Sequence, residues 1–190
     1  MTTKNIMIVG VGGQGSLLAS RILGAAALKC GYDVKVSEVH GMSQRGGSVV
    51  TYVSWGEKVY APIVDKGEAD YILAFEMLEA ARYTEFLKPG GKLIANIQQT
   101  NPMPVITGAM EYPEDLQGKL KALGVDLDAI DALKTAEEAG SAKAVNLVLL
   151  GRLAKYFPYP EEDWIECIKT GVPEKFIDMN IKAFKMGKEL

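Results

Sequence analysis

The sequence predicts an α/β fold: a Rossmann-like three-layer sandwich on a mixed, mainly parallel sheet, with C-terminal helices. Three observations predict it. An apolar run at residues 6–9 enters a glycine-rich turn, and an apolar-rich helix follows. Further apolar runs at residues 69–75 and 92–96 flank a helical pattern, as in a βαβ unit. After the second strand a polar, glycine-rich stretch and a β-branched run stand where a parallel sheet needs a crossover helix, so the sheet must be mixed.

Residues 6–9 are continuously apolar, as expected of a strand covered on both faces. Gly10, Gly12 and Gly15 then match G-x-G-x-x-G. The first glycine permits a tight turn, the second a close approach by a ligand or backbone, and the third close helix–strand packing. The helix is expected over residues 13–30, with Gly31 just past its end and Ala19, Leu23, Ala26 and Ala27 facing the sheet. Its free N–H groups offer an anion site. Strand two covers residues 33–39, with Glu38 near its end, where dinucleotide-binding folds place the acid that holds ribose hydroxyls.

His40-Gly41-Met42-Ser43-Gln44-Arg45-Gly46-Gly47 holds the only histidine and reads as a ligand or partner loop. Residues 48–55 read as strand three, and the turn at Gly56 predicts a hairpin with residues 59–64, where Pro62 marks an edge. A strand at 69–75 leads into a helix at 76–83. A turn at 89–91 precedes the strand at 92–96, and a short edge strand is expected at 105–107. Helices follow at 115–123 and 131–139. The most apolar helix begins after Ser141, its expected N-cap, and carries Asn146 in its middle. With so little polar face it must be buried in the core or against a partner. Two amphipathic helices fill the tail, separated at residues 170–173.

The 190 residues suit a single domain over 1–190 with a helical extension from about 160. The net charge of −3, without a basic cluster, speaks against nucleic acid. No apolar run is long enough to cross a bilayer, and the first residues lack the layout of a signal peptide. A reduced, cytoplasmic protein is the expectation. Cys30 and Cys167 are the only cysteines, too few for a cluster or zinc site held by four thiolates. No residue is assigned a catalytic or metal-binding role.

The turn at Gly10–Gly15 combined with the Glu38–Val49 stretch resembles the gamma domain of the 2-oxoacid:ferredoxin oxidoreductases, above all the small beta subunits of the indolepyruvate branch. The resemblance runs from Lys4 to the tail, and Asn146 fits it. It implies a subunit that bears no cofactor alone. A large alpha partner would carry thiamine diphosphate and iron–sulfur clusters, with coenzyme A as co-substrate and ferredoxin as electron acceptor. The expected assembly is a hetero-oligomer, or a homodimer when isolated. Gly12, Gly13, Gln14, Gly15, Ser43, Gln44 and Arg45 are the candidate coenzyme A contacts. Two readings from other classes stand beside it: a stand-alone NAD-dependent dehydrogenase, and a nucleotide- or anion-binding regulatory protein.

Overall fold

A computed structural model describes residues 3–40 and 47–190. Six strands form one sheet: β1 (Lys4–Val11), β2 (Asp33–His40), β3 (Ser48–Gly56), β4 (Ala69–Ala74), β5 (Leu87–Asn96) and β6 (Asp126–Ile130), in the order β2-β3-β1-β4-β5-β6. β1, β4, β5 and β6 pair in parallel, while β3 runs antiparallel to both β1 and β2. Only β3 opposes the common direction, so β1, β2, β4, β5 and β6 all end at one edge.

The side chains of β1 alternate between two cores, as a pleated strand requires. Ile6 and Ile8 face a layer made by α1 (Ser16–Lys29), α5 (Ala132–Ala139), α6 (Val145–Ala154), α7 (Glu161–Gly171) and α8 (Ile177–Glu189). Met7 and Val9 face α2 (Met77–Tyr83) and α4 (Leu116–Ala122) on the other side. The three-layer sandwich on a mixed sheet is therefore present. Ala19, Leu23, Ala26 and Ala27 of α1 are fully buried, and Gly31, at φ 84°, ends that helix.

Four local expectations need correction. β3 makes its hairpin with β2, Val39 opposite Val50, and not with residues 59–64. That segment is irregular: Val59 N–H donates to Asp33 Oδ2 at 2.9 Å, and Ser54 Oγ donates to Pro62 O at 3.3 Å. Residues 105–107 form no strand, because Pro102 starts a single helical turn, α3 (Met103–Ile106), whose Val105 and Ile106 N–H groups bond to Pro102 O. The turn at 89–91 lies inside β5, where Gly90 at φ 76° accompanies a register shift against β4. Helix α1 begins at Ser16, three residues late, because Gly13 and Gly15 are left-handed.

The apolar helix α6 is a core element. Leu147, Val148, Leu149, Leu150 and Leu153 are fully buried by this chain's own helices and sheet, so it supplies no outer surface for a partner. The larger exposed apolar side chains lie elsewhere, among them Met103, Ile106 and Met110 after β5.

Two carboxylates, Asp70 buried and Asp128 half-buried, tie the sheet's periphery together. Asp70 accepts from Lys88, from Asn5 N–H at 2.9 Å and from Lys4 Nζ at 3.0 Å. Asp128 receives a bidentate pair from Arg152, Nε at 2.7 Å and Nη2 at 3.0 Å, and the Tyr156 hydroxyl at 2.9 Å. Burial alone would raise both carboxyl pKa values, but these donors outweigh it and hold both below the usual range. A depressed folded-state pKa contributes stability above the unfolded value of about 3.9. That contribution disappears as pH falls through the folded value. Urea midpoints should therefore drop steeply below about pH 4. Asp70→Asn and Asp128→Asn should each flatten that acid limb, and an unaltered limb would count against this assignment.

Candidate functional site

The common sheet edge begins with the turn after β1. An added Cβ at Gly10 would sit 2.7 Å from Gln14 Oε1 and 2.9 Å from Phe75 Cβ, so the first glycine permits contact with the end of β4. Gln14 fastens the turn. Its Oε1 accepts from Val11 N–H at 2.7 Å, and its Nε2 donates to Phe75 O at 3.4 Å. The fully buried Asn96 also donates to Phe75 O, at 3.3 Å, and accepts from Ala132 N–H at 3.2 Å. One carbonyl thus joins the glycine turn to β5 and α5.

Gly15, at φ 86°, N-caps α1 without a side-chain hydrogen bond, and the first turn of α1 contains no acid. Its neighbour is not the sheet but α6: an added Cβ would lie 2.6 Å from Asn146 Nδ2, which donates to Gly15 O at 3.4 Å. Asn146 Oδ1 accepts from Leu147 N–H at 3.0 Å. The asparagine flagged in the apolar helix is therefore a buried brace for the glycine turn. The first N–H groups of α1 have no intrahelical partners and carry the positive end of the helix dipole.

Gly12, Gly13, Gln14 and Gly15 come together in this turn. Ser43, Gln44 and Arg45 lie outside the described residues. The ends that flank them are described: His40 pairs with Val49 across the β2–β3 ladder, and Gly12 N–H donates to Gly47 O at 2.9 Å. Both glycine-rich loops therefore spring from the same edge. Ser48, just beyond the second loop, is held by the buried carboxylate of Glu79, which also pairs with Arg82 at 2.8 Å.

Two hollows flank the turn. One, of about 430 Å³, is lined by Gly12, Gly13, Ser16, Leu17 and Glu38 among others, so the acid of β2 does face the glycine turn. The second, of about 460 Å³, lies between Gly13–Gly15 and Gln98, Lys143 and Asn146. Lys143 was not anticipated, although a cation two residues past the Ser141 cap is the kind of signal that could have marked it. A larger hollow of about 780 Å³ lies farther along the edge, between Ile97 and α4, but it does not include the glycine turn. Burial pushes the thiols of Cys30 and Cys167 up, which leaves them poor nucleophiles. Among the described residues, no group of histidines, cysteines and acids is placed to hold a metal ion.

Residues 5–190 match the family model for pyruvate ferredoxin/flavodoxin oxidoreductase. The chain belongs to that family. It is a gamma-type domain of the 2-oxoacid:ferredoxin oxidoreductases and so a subunit of such an enzyme. It is 46% identical to the indolepyruvate oxidoreductase subunit IorB of Thermococcus kodakarensis, over 98% of this chain and 95% of that protein. The keto/oxoacid ferredoxin oxidoreductase gamma subunit of Geobacter sulfurreducens superposes with a TM-score of 0.72 at 26% identity, covering 98% of this chain and 96% of that one. A 2-oxoglutarate:ferredoxin oxidoreductase of Magnetococcus marinus, solved with 2-oxoglutarate, coenzyme A and succinyl-CoA bound, shares the fold. Its TM-score is 0.76 at 23% identity, and all of this chain matches 31% of that longer one.

Proposed function

We propose that this chain is the cofactor-free small subunit of a cytoplasmic indolepyruvate-type oxidoreductase, whose large partner carries thiamine diphosphate and the iron–sulfur clusters. In the complete reaction an arylpyruvate loses CO2, coenzyme A takes the acyl group as a thioester, and two electrons pass to ferredoxin. The near-full-length likeness to an IorB subunit supports the substrate class. The Magnetococcus chain, in which the same fold is one part of a longer polypeptide, supports a tight association with other domains. With two cysteines and no thiamine motif, the chain lacks the groups for the redox chemistry.

The observation that carries the reading is the Gly12–Gly47 hydrogen bond, which puts the bases of both glycine-rich loops side by side at the carboxyl edge. In open α/β sheets that edge is where ligands gather. This chain's part is to close the partner's active site and to present N–H groups of the glycine turn, with Ser43, Gln44 and Arg45, to the phosphates of coenzyme A. A dehydrogenase reading fits less well. In a dinucleotide-binding fold the acid-bearing strand lies beside β1, whereas here β3 intervenes. That displaces Glu38 by an extra strand spacing of about 4.8 Å.

The decisive experiment is reconstitution. The isolated chain should reduce no dye with any oxoacid, and adding the large subunit should give oxoacid- and coenzyme A-dependent reduction; turnover by the pure isolated chain would overturn the reading. In the complex, Arg45→Ala should raise the Michaelis constant for coenzyme A about 10- to 100-fold, the loss of one charge-assisted contact. An unchanged constant with intact assembly would remove Arg45 from the coenzyme site, and failed assembly would assign it to the interface.

A further inference from the structure

The segment between β5 and α4 forms a knob with an internal frame of its own. Val105 and Ile106 N–H donate to Pro102 O at 2.9 and 3.0 Å, and Thr107 N–H donates to Met103 O at 2.9 Å. Ala109 and Met110 N–H donate to Pro104 O at 2.9 and 3.0 Å. The two prolines also fix their own φ angles. Both feet of the knob meet on buried Glu76, which accepts from Thr100 N–H at 3.1 Å and from the Tyr112 hydroxyl at 2.5 Å. On this frame Met103, Ile106 and Met110 stand out, 62%, 64% and 64% exposed.

The composition and place of the knob say what covers it. No residue from 97 to 110 is charged, in a chain that is 24% charged. Apolar side chains without charge among them make the core of an interface, and a frame already rigid loses little entropy on docking. The border is acidic instead. Glu111, Glu114 and Asp115 are exposed and have no ion pair among the described residues. Glu114 and Asp115 line the hollow of about 780 Å³ at the knob's foot, where Lys121 is the one cation. The knob is also continuous with the site: Gln98 lines the hollow beside the glycine turn, and Gln99 lines the hollow at the knob's foot. A body that closes over the glycine turn therefore reaches the knob too. A second copy of this chain fits less well, because a two-fold axis on the knob would set the acidic border against its own image.

We propose that the knob at residues 102–110 is the anchor by which this chain docks on its large partner: Met103, Ile106 and Met110 enter an apolar socket whose border carries lysines or arginines facing Glu111, Glu114 and Asp115. The proposal rests on the two-subunit reading above. It divides the labour of the surface. The apolar anchors set how long the complex lasts, since buried anchors dominate interface energy. The acidic border sets how fast the complex forms, since charges at a rim steer the encounter.

The test measures binding of the full chain to its large subunit by surface plasmon resonance. Ile106→Asp, at an exposed position that does not threaten folding, should weaken the complex about 30-fold or more, mainly through faster dissociation, with the thermal midpoint of the isolated chain unchanged. Met103→Asp should do the same. Leu123→Asp, at an apolar residue just as exposed but at the opposite end of α4, controls for added charge and should leave the affinity unchanged. Glu111→Lys combined with Glu114→Lys should slow association about tenfold and reduce its dependence on salt. An unchanged affinity for Ile106→Asp and Met103→Asp would overturn the proposal, and so would an equal loss in Leu123→Asp. Sedimentation of the isolated chain supplies the remaining outcome: a wild-type dimer that Ile106→Asp converts to monomer, with affinity for the large subunit intact, would give the knob to a second copy and overturn the proposal. If the wild-type chains form no complex at all, the two-subunit reading itself fails, whereas a complex indifferent to the knob variants sinks only the docking surface.

Discussion

Gly187→Ala is expected to destabilise the protein by about 3 kcal/mol, and Gly151→Ala by about as much, the upper range for an overpacked core. Elsewhere in a helix, alanine is favoured over glycine by about 1 kcal/mol, so the expected sign is reversed here. The reason is the crossing of α6 and α8. An added Cβ at Gly187 would lie 2.0 Å from Val148 O, and one at Gly151 would lie 2.0 Å from Phe184 O. Both obstacles are backbone atoms, which cannot rotate away, so relief requires the helices to separate. Separation would loosen Leu147, Val148 and Phe184, all fully buried. For a chain of this size, 3 kcal/mol corresponds to roughly 6–12 °C in thermal midpoint. The double variant should cost less than the two single costs combined, because one separation relieves both clashes. Unchanged midpoints in both single variants would show that the crossing is not tight.

The contact also bears on the site. Helix α6 carries Asn146, which braces Gly15, and α8 carries Met179 and Asn180, which line a small hollow together with Asn146. A shift between them therefore moves two walls of the carboxyl edge relative to the turn, so the same variants should lower coenzyme-dependent turnover in the complex before they prevent assembly.

Much of this was legible in the sequence, for a physical reason. The strand at residues 6–9, the glycine turn and α1 are defined by local periodicity and by φ values that only glycine adopts readily. The helices expected at 115–123 and 131–139 are equally local signals; in the fold Asp115 and Asp131 stand at their N-caps and accept from Gly118 N–H and Lys134 N–H, each at 3.0 Å. Pairing was not legible. Gly56 suggested a turn into residues 59–64, but the partner of β3 is chosen by the sheet, and β3 finds pairing on both sides only between β1 and β2. The apolar face of α6 could not say whether a partner or this chain covers it, because Gly187, which lets α8 approach, lies 36 positions after Gly151. Gln14 is the instructive case at the site. From sequence its amide was free for a ligand, whereas in the fold it bonds to Val11 N–H and to Phe75 O, 61 residues on. The backbone N–H groups of the turn remain the better donors for a phosphate.

Glu76→Ala is expected to cost about 3 kcal/mol and to loosen the far half of the carboxyl edge, because it strands several donors at once. Glu76 is 1% exposed and follows β4 directly. Its Oε2 caps α2 by accepting from Glu79 N–H at 2.9 Å. Its Oε1 accepts from Thr100 N–H at 3.1 Å and from the Tyr112 hydroxyl at 2.5 Å. Burial, and then the hydrogen bond to Glu76, push the Tyr112 hydroxyl pKa well above its usual range. One carboxyl group thus fixes both ends of the segment from Thr100 to Tyr112, which carries the exposed Met103, Ile106 and Met110. The backbone follows the same tie, since Met77 N–H donates to Gln98 O at 3.3 Å beside the glycine turn. Glu76→Gln keeps an acceptor at nearly the same shape and should cost only about 1 kcal/mol. Chemical denaturation gives the two costs. Amide exchange at Thr100 should accelerate strongly in the alanine variant and weakly in the glutamine variant. Equal stability of Glu76→Ala and wild type, with Thr100 still protected, would mean that solvent replaces the carboxylate and that the segment is held by its own turn at Pro102.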